Sequence, residues 1–168
     1  QLIPASIMAA VFPAFTLALR HDAAGARRLG TRATLLLLAI GAAVALGGWL
    51  LGPWLVPVLY GPAYAASSRV FQVLAVQLVF AFVNYTLTHY LIAYGRQALL
   101  GVFTGAMLAL HATLSWLLIP GFGPVGPALS IVLAELLLTL LCSLTLWASK
   151  PTALAPTQLE DGPDTIPA

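Results

Sequence analysis

The segment Ile119-Pro120-Gly121-Phe122-Gly123-Pro124-Val125-Gly126-Pro127 punctuates a long apolar stretch that runs from Ala98 to Ala148 and carries one charge, Glu135. On either side of it, residues 98–119 and 125–148 each exceed the ~20 apolar residues that a helix rising ~1.5 Å per residue needs to cross a ~30 Å hydrocarbon core. The reading is a pair of membrane-spanning helices joined by a tight turn. Pro120 is expected to stop the first helix. Gly121 and Gly123 permit left-handed backbone, and Pro124 and Pro127 fall where first-turn N–H groups have no intrahelical partner.

Composition extends that reading to the whole chain. Hydrophobic residues make up 61% of the 168 and charged residues 7%, against ~25% charged in soluble domains, and the mean hydropathy is +0.98. A net charge of +2 is too small to indicate a nucleic-acid partner, so the basic residues are read first as markers of a membrane face. The single cysteine, Cys142, lies in an apolar run, which leaves no disulfide framework. It shares no metal-ligand spacing with His21, His89 and His111, and no cofactor is expected. The chain begins at Gln1 inside an apolar run with no basic region before it, so a signal peptide is not expected and an N-terminal part is read as missing.

The pattern predicts an all-α, polytopic transmembrane helix bundle of five spans, at about 2–19, 33–60, 69–94, 98–119 and 125–148. The first span carries Pro4 and Pro13. Residues 20–32 form a basic loop, and Gly61-Pro62 ends the second span. In that span Gly48 and Gly52 make a small-xxx-small pair suited to close helix packing. Trp49, Trp54, Tyr60 and Tyr64 gather at one end, as interfacial aromatics do. Residues 150–168 are too polar and proline-rich to bury an apolar face, and are expected to form a disordered tail. If the loops alternate, Arg20, Arg27, Arg28, Arg32, Arg96 and Lys150 share one side and Arg69 stands alone on the other, which assigns the six, and the C-terminus, to the cytoplasm.

Several residues are candidates for function. Glu135 lies near mid-span, where a carboxylate costs at least a few kcal/mol unless it is paired, protonated or facing water. It is either a cavity-facing proton or cation site or a hydrogen-bonded clamp between helices. His111 has nearly the same depth, and the two could meet across the hairpin. Gln77, Asn84 and Thr88, at +7 and +4, share one helical face and either line a cavity or staple helices together. Arg27, Arg28 and Arg32 either attract a lipid diphosphate, whose geometry suits guanidinium, or contact anionic membrane lipid and set topology.

Three stretches resemble the polysaccharide-export flippases, relatives of the multidrug exporters and of the peptidoglycan-precursor flippase. Phe12-Pro13 before the basic loop is similar to the family's helix ending in Phe-Pro, and Leu59-Tyr60-Gly61-Pro62-Ala63-Tyr64 to its apolar-Gly-x-x-Tyr turn. The turn from Ile119 to Ala128 resembles its Pro-x-x-Gly-x-x-Gly-Ala-Ala turn, with Pro127 where a small residue is usual. The resemblance spans residues 1–149. It implies a two-lobed, MATE-like fold whose last five helices this chain supplies, with the N-terminal lobe as a missing partner. The implied activity, in a bacterial inner membrane, is flipping undecaprenyl-diphosphate-linked oligosaccharide for polysaccharide export, with no catalytic residue. The alternatives are a multidrug exporter and a membrane-embedded glycosyltransferase or polymerase. The longest outward loop, residues 61–68, offers little for the last.

Overall fold

The computed structural model describes residues 2–148, which form five helices: α1 (Leu2–His21), α2 (Ala23–Tyr60), α3 (Ser67–Ala93), α4 (Gln97–Phe122) and α5 (Val125–Ala148), with one 3-10 turn at Pro62–Tyr64. Each helix is long and apolar enough to cross a membrane. The tail at residues 150–168 lies outside the described residues.

Helix ends follow local chemistry, with two departures from the sequence reading. The basic segment after α1 is helical rather than a loop. Only Asp22 interrupts it, and the Asp22 carboxylate accepts a hydrogen bond from the Gly25 N–H at 2.8 Å and so caps α2. Arginine, leucine and alanine are good helix formers, so the segment adds nearly three turns to α2. At the other departure, Pro120 does not stop α4, which continues to Phe122. Proline near a helix end forfeits one backbone bond, and the terminator is Gly123, at φ +55°, whose N–H bonds the Ile119 carbonyl at 2.8 Å. Gly121 stays helical. Gly61 (φ +94°) and Gly95 (φ +70°) end α2 and α3 in the same left-handed manner.

Helix α3 is the hub, packed against α2 on one side and α5 on the other, while α4 lies outside α5 and barely touches α3. The α2 seam against its neighbours reads Ala26, Gly30, Ala33, Leu37, Gly41, Ala45, Gly48, Gly52 and Val56, at steps of three or four, all buried except the half-buried Gly48. These small residues bring backbones together. A methyl at Gly48 would lie 2.8 Å from the Ala75 Cβ, and one at Gly52 2.8 Å from the Phe71 ring. Lipid tails are as apolar as leucine, so such close packing, rather than apolar burial, holds membrane helices together. The outward faces carry exposed leucines and aromatics such as Leu50, Trp116 and Trp147, and none of the α4 residues, all of them described, is buried. The cavity shared by Arg27, Tyr94 and Leu146 places the start of α2 and the ends of α3 and α5 at one end of the bundle.

Candidate functional site

Among the described residues, a polar assembly of four side chains joins α3 to α5. Helix periodicity puts Gln77 and Asn84, two turns apart, on the α3 face that meets α5. Glu135, the eleventh of the 24 residues of α5, sits ~15 Å along it, at mid-depth. The Gln77 amide donates to Glu135 Oε1 at 3.1 Å, and the Asn84 amide donates to Oε2 at 2.6 Å and to the Glu135 carbonyl at 2.9 Å. One turn on, the Thr139 hydroxyl shares its proton between Asn84 Oδ1 at 2.9 Å and the Glu135 carbonyl at 2.8 Å.

This network has a fixed part and a reversible part. The Glu135 backbone carbonyl can only accept, so the Asn84 NH2 is oriented toward it and the carboxylate, and the Asn84 oxygen toward Thr139. Gln77 has no such constraint. With Glu135 ionised, Gln77 donates; with Glu135 protonated on Oε1, a rotated Gln77 amide accepts. The site therefore accommodates either protonation state by an amide flip, without moving backbone. The oxygens of Glu135, Asn84 and Thr139 are also hard ligands of the kind alkali and alkaline-earth cations take. Among the described residues no three His, Cys, Asp or Glu side chains gather as a metal site.

Two candidates fall outside this assembly. Thr88 bonds back to the Tyr85 carbonyl at 3.2 Å, one turn beyond the level of Thr139. His111 does not pair with Glu135. Its Nδ1 meets the Ser130 hydroxyl at 2.8 Å, and Ser130 in turn meets Ser115 at 2.7 Å and the Pro127 carbonyl at 2.8 Å. Ser130 and Glu135 are five residues apart, hence ~140° apart around α5, so one faces α4 and the other α3. Depth was enough to bring His111 and Glu135 to the same groove, of about 210 Å3 between α4 and α5, but not to make them partners. Ser130 is completely buried, which makes the His111–Ser130 contact a staple between helices rather than an accessible nucleophile and base.

Arg27, Arg28 and Arg32 project from the first turns of α2 and are exposed, and Arg27 lines a cavity. Residues that sequence reasoning passed over include Ser130, signalled by the spacing Gly126, Ser130, Ala134, and Tyr90. The Tyr90 hydroxyl donates to the Gly30 carbonyl at 3.0 Å, and its ring stacks on Phe15 with centroids 4.2 Å apart. Both fit because Gly30 has no side chain: a Cβ there would lie 3.2 Å from Phe15 and 3.4 Å from Tyr90.

No family model, curated protein or solved structure matches the chain. Fold and composition define a polytopic, all-α bundle of membrane-spanning helices.

Proposed function

We propose that this chain is the C-terminal part of a transporter that flips undecaprenyl-diphosphate-linked oligosaccharide across a bacterial inner membrane, with the basic end of the bundle cytoplasmic. The observation that carries transport is the Glu135 clamp, a titratable group held at mid-depth by amides that serve both of its protonation states. A carboxylate at that depth is costly, and a proton or cation site gives a reason to keep it. The resemblance of the Phe12-Pro13, Gly61 and Gly121 regions supplies the substrate class. The exposed α4 supports a second lobe as partner, because a helix without buried residues gains packing from a neighbour. An enzyme of polysaccharide assembly is disfavoured by the short connections. The one between α2 and α3, residues 61–66, presents no acid, imidazole or amine.

The test uses the full-length protein in a strain whose surface polysaccharide depends on it. Glu135→Gln keeps the shape and, with Gln77 rotated, every hydrogen bond, but removes the titratable proton. Normal membrane abundance with impaired export is the expected result. Normal export at normal abundance would remove the proton-site reading and leave a structural clamp. Accumulation of lipid-linked oligosaccharide on the cytoplasmic leaflet when the protein is depleted is expected of a flippase, and its absence would refute the substrate class. Residues 1–168 expressed alone are expected to show no export.

A further inference from the structure

The basic end of the bundle encloses a cavity of about 320 Å3, within the range of ligand sites. Its mouth is formed by exposed Arg27, Thr31 and Leu35 of α2 and Ser143 of α5, and its floor by buried Phe15, Tyr90 and Leu87. Arg27, Thr31 and Leu35 recur at intervals of four and so form one stripe down α2, ~12 Å long. Over that distance the chemistry passes from guanidinium to hydroxyl to aliphatic, while the floor is apolar and aromatic. Among the described residues no carboxylate lines the cavity.

That order is the order of groups in a phospholipid: phosphate, ester, acyl chain. We propose that the cavity binds an anionic glycerophospholipid of the bilayer. Arg27 takes the phosphate, for which a guanidinium offers paired donors. Thr31 and Ser143 hydrogen-bond the headgroup and ester oxygens, and the acyl chain leaves past Leu35, which is 57% exposed on the lipid-facing side. A free anion would use the single charge and leave the apolar floor without an occupant. Arg28 and Arg32, on other faces of the same turns, add only diffuse attraction. The inference requires a membrane-spanning bundle and no transported substrate, so it stands or falls apart from the flippase reading.

The test measures binding of labelled phosphatidylglycerol and phosphatidylcholine to the purified full-length protein at about 0.5 M salt, where diffuse attraction is screened within a few ångströms. Phosphatidylglycerol is expected to bind in preference, and Arg27→Gln to weaken it about tenfold. Arg28→Gln and Arg32→Gln are expected to change it less than about twofold. Ser143→Phe, which narrows the mouth from α5 without altering charge, is expected to weaken it as well, and keeps the test decisive if Arg27→Gln folds poorly. Equal losses at all three arginines would overturn the site in favour of diffuse attraction. Displacement of the lipid by millimolar inorganic phosphate would overturn it in favour of a free-anion site. Preferential displacement by an undecaprenyl diphosphate would overturn it in favour of a substrate site.

Discussion

Asn84→Leu is the sharpest probe of the α3–α5 clamp, because Asn84 is only 4% exposed and serves two partners on α5. The substitution removes the 2.6 Å bond to the Glu135 carboxylate and the acceptor of the Thr139 hydroxyl. A hydrogen bond to a charged group contributes about 1.5–3 kcal/mol, and an interhelical bond in a membrane protein about 0.6. The expected loss is therefore about 2–4 kcal/mol of bundle stability. Thr139 retains the backbone carbonyl of residue 135, which keeps its own contribution small. Glu135→Leu alone leaves Asn84 the backbone carbonyl of residue 135 but strands its second N–H and the Gln77 amide and costs a comparable amount, whereas Asn84→Leu combined with Glu135→Leu removes both members of the Asn84–carboxylate pair together. The double variant should cost less than the sum of the two by about 1.5–3 kcal/mol, since replacing both members of a buried pair with apolar groups is nearly neutral. Equilibrium unfolding of the full-length protein in mixed micelles measures all four corners of the cycle. Additivity to within about 0.5 kcal/mol would refute the clamp as described.

Other outcomes follow from single features. Gly48→Val should lower membrane abundance, because its Cβ would lie 2.8 Å from Ala75, while Gly47→Val, with nothing within 4 Å, should leave it unchanged; equal effects would remove the close-packed seam. Ser130→Ala should destabilise the α4–α5 hairpin by about 1 kcal/mol, by freeing His111 and Ser115, and an unchanged unfolding midpoint would count against the staple. Cysteines in place of Pro62 and Phe122 should react with an impermeant thiol reagent from outside the cell, and one in place of Thr157 should not. The native Cys142, fully buried, supplies no background, and labelling at Thr157 would reverse the proposed orientation.

The sequence carried the helices because membrane spans are written in a one-dimensional signal, apolar length between turn residues. Gly61 and Gly123 marked two of the ends for a reason that survives folding, the positive φ that each adopts. Where the reading failed, it lacked the balance of local terms. Four basic residues suggested a loop, yet their helix propensity and the Asp22 cap prevailed. Pro120 looked like a stop, yet a proline so close to a helix end costs too little to impose one. In the site, periodicity was enough to unite Gln77 with Asn84, because a face is a property of one helix. It could not assign Glu135 to α3 or His111 to Ser130, because rotation of α5 between two neighbours is decided by packing that no single helix encodes. Gly126, whose Cβ would meet the Leu118 backbone at 2.8 Å, shows which α5 face lies against α4 only once both helices are in place.

The placement of polar contacts around α3 also has a mechanical consequence. Near one end of the bundle the Tyr90 hydroxyl holds the Gly30 carbonyl, and near the other the Gln72 amide holds the Trp49 carbonyl at 2.9 Å. The two points are separated by 19 residues of α2, or about 28 Å. Two pins that far apart fix an axis, so α2 and α3 form a rigid pair. Helix α5 meets α3 through the side-chain hydrogen bonds around Glu135, with apolar contacts such as Leu87 and Leu91 against Cys142 toward the basic end. That clamp lies at mid-depth, so any tilt of the α4–α5 hairpin about Glu135, like a beam on a fulcrum, would carry its two ends in opposite senses at the two membrane faces.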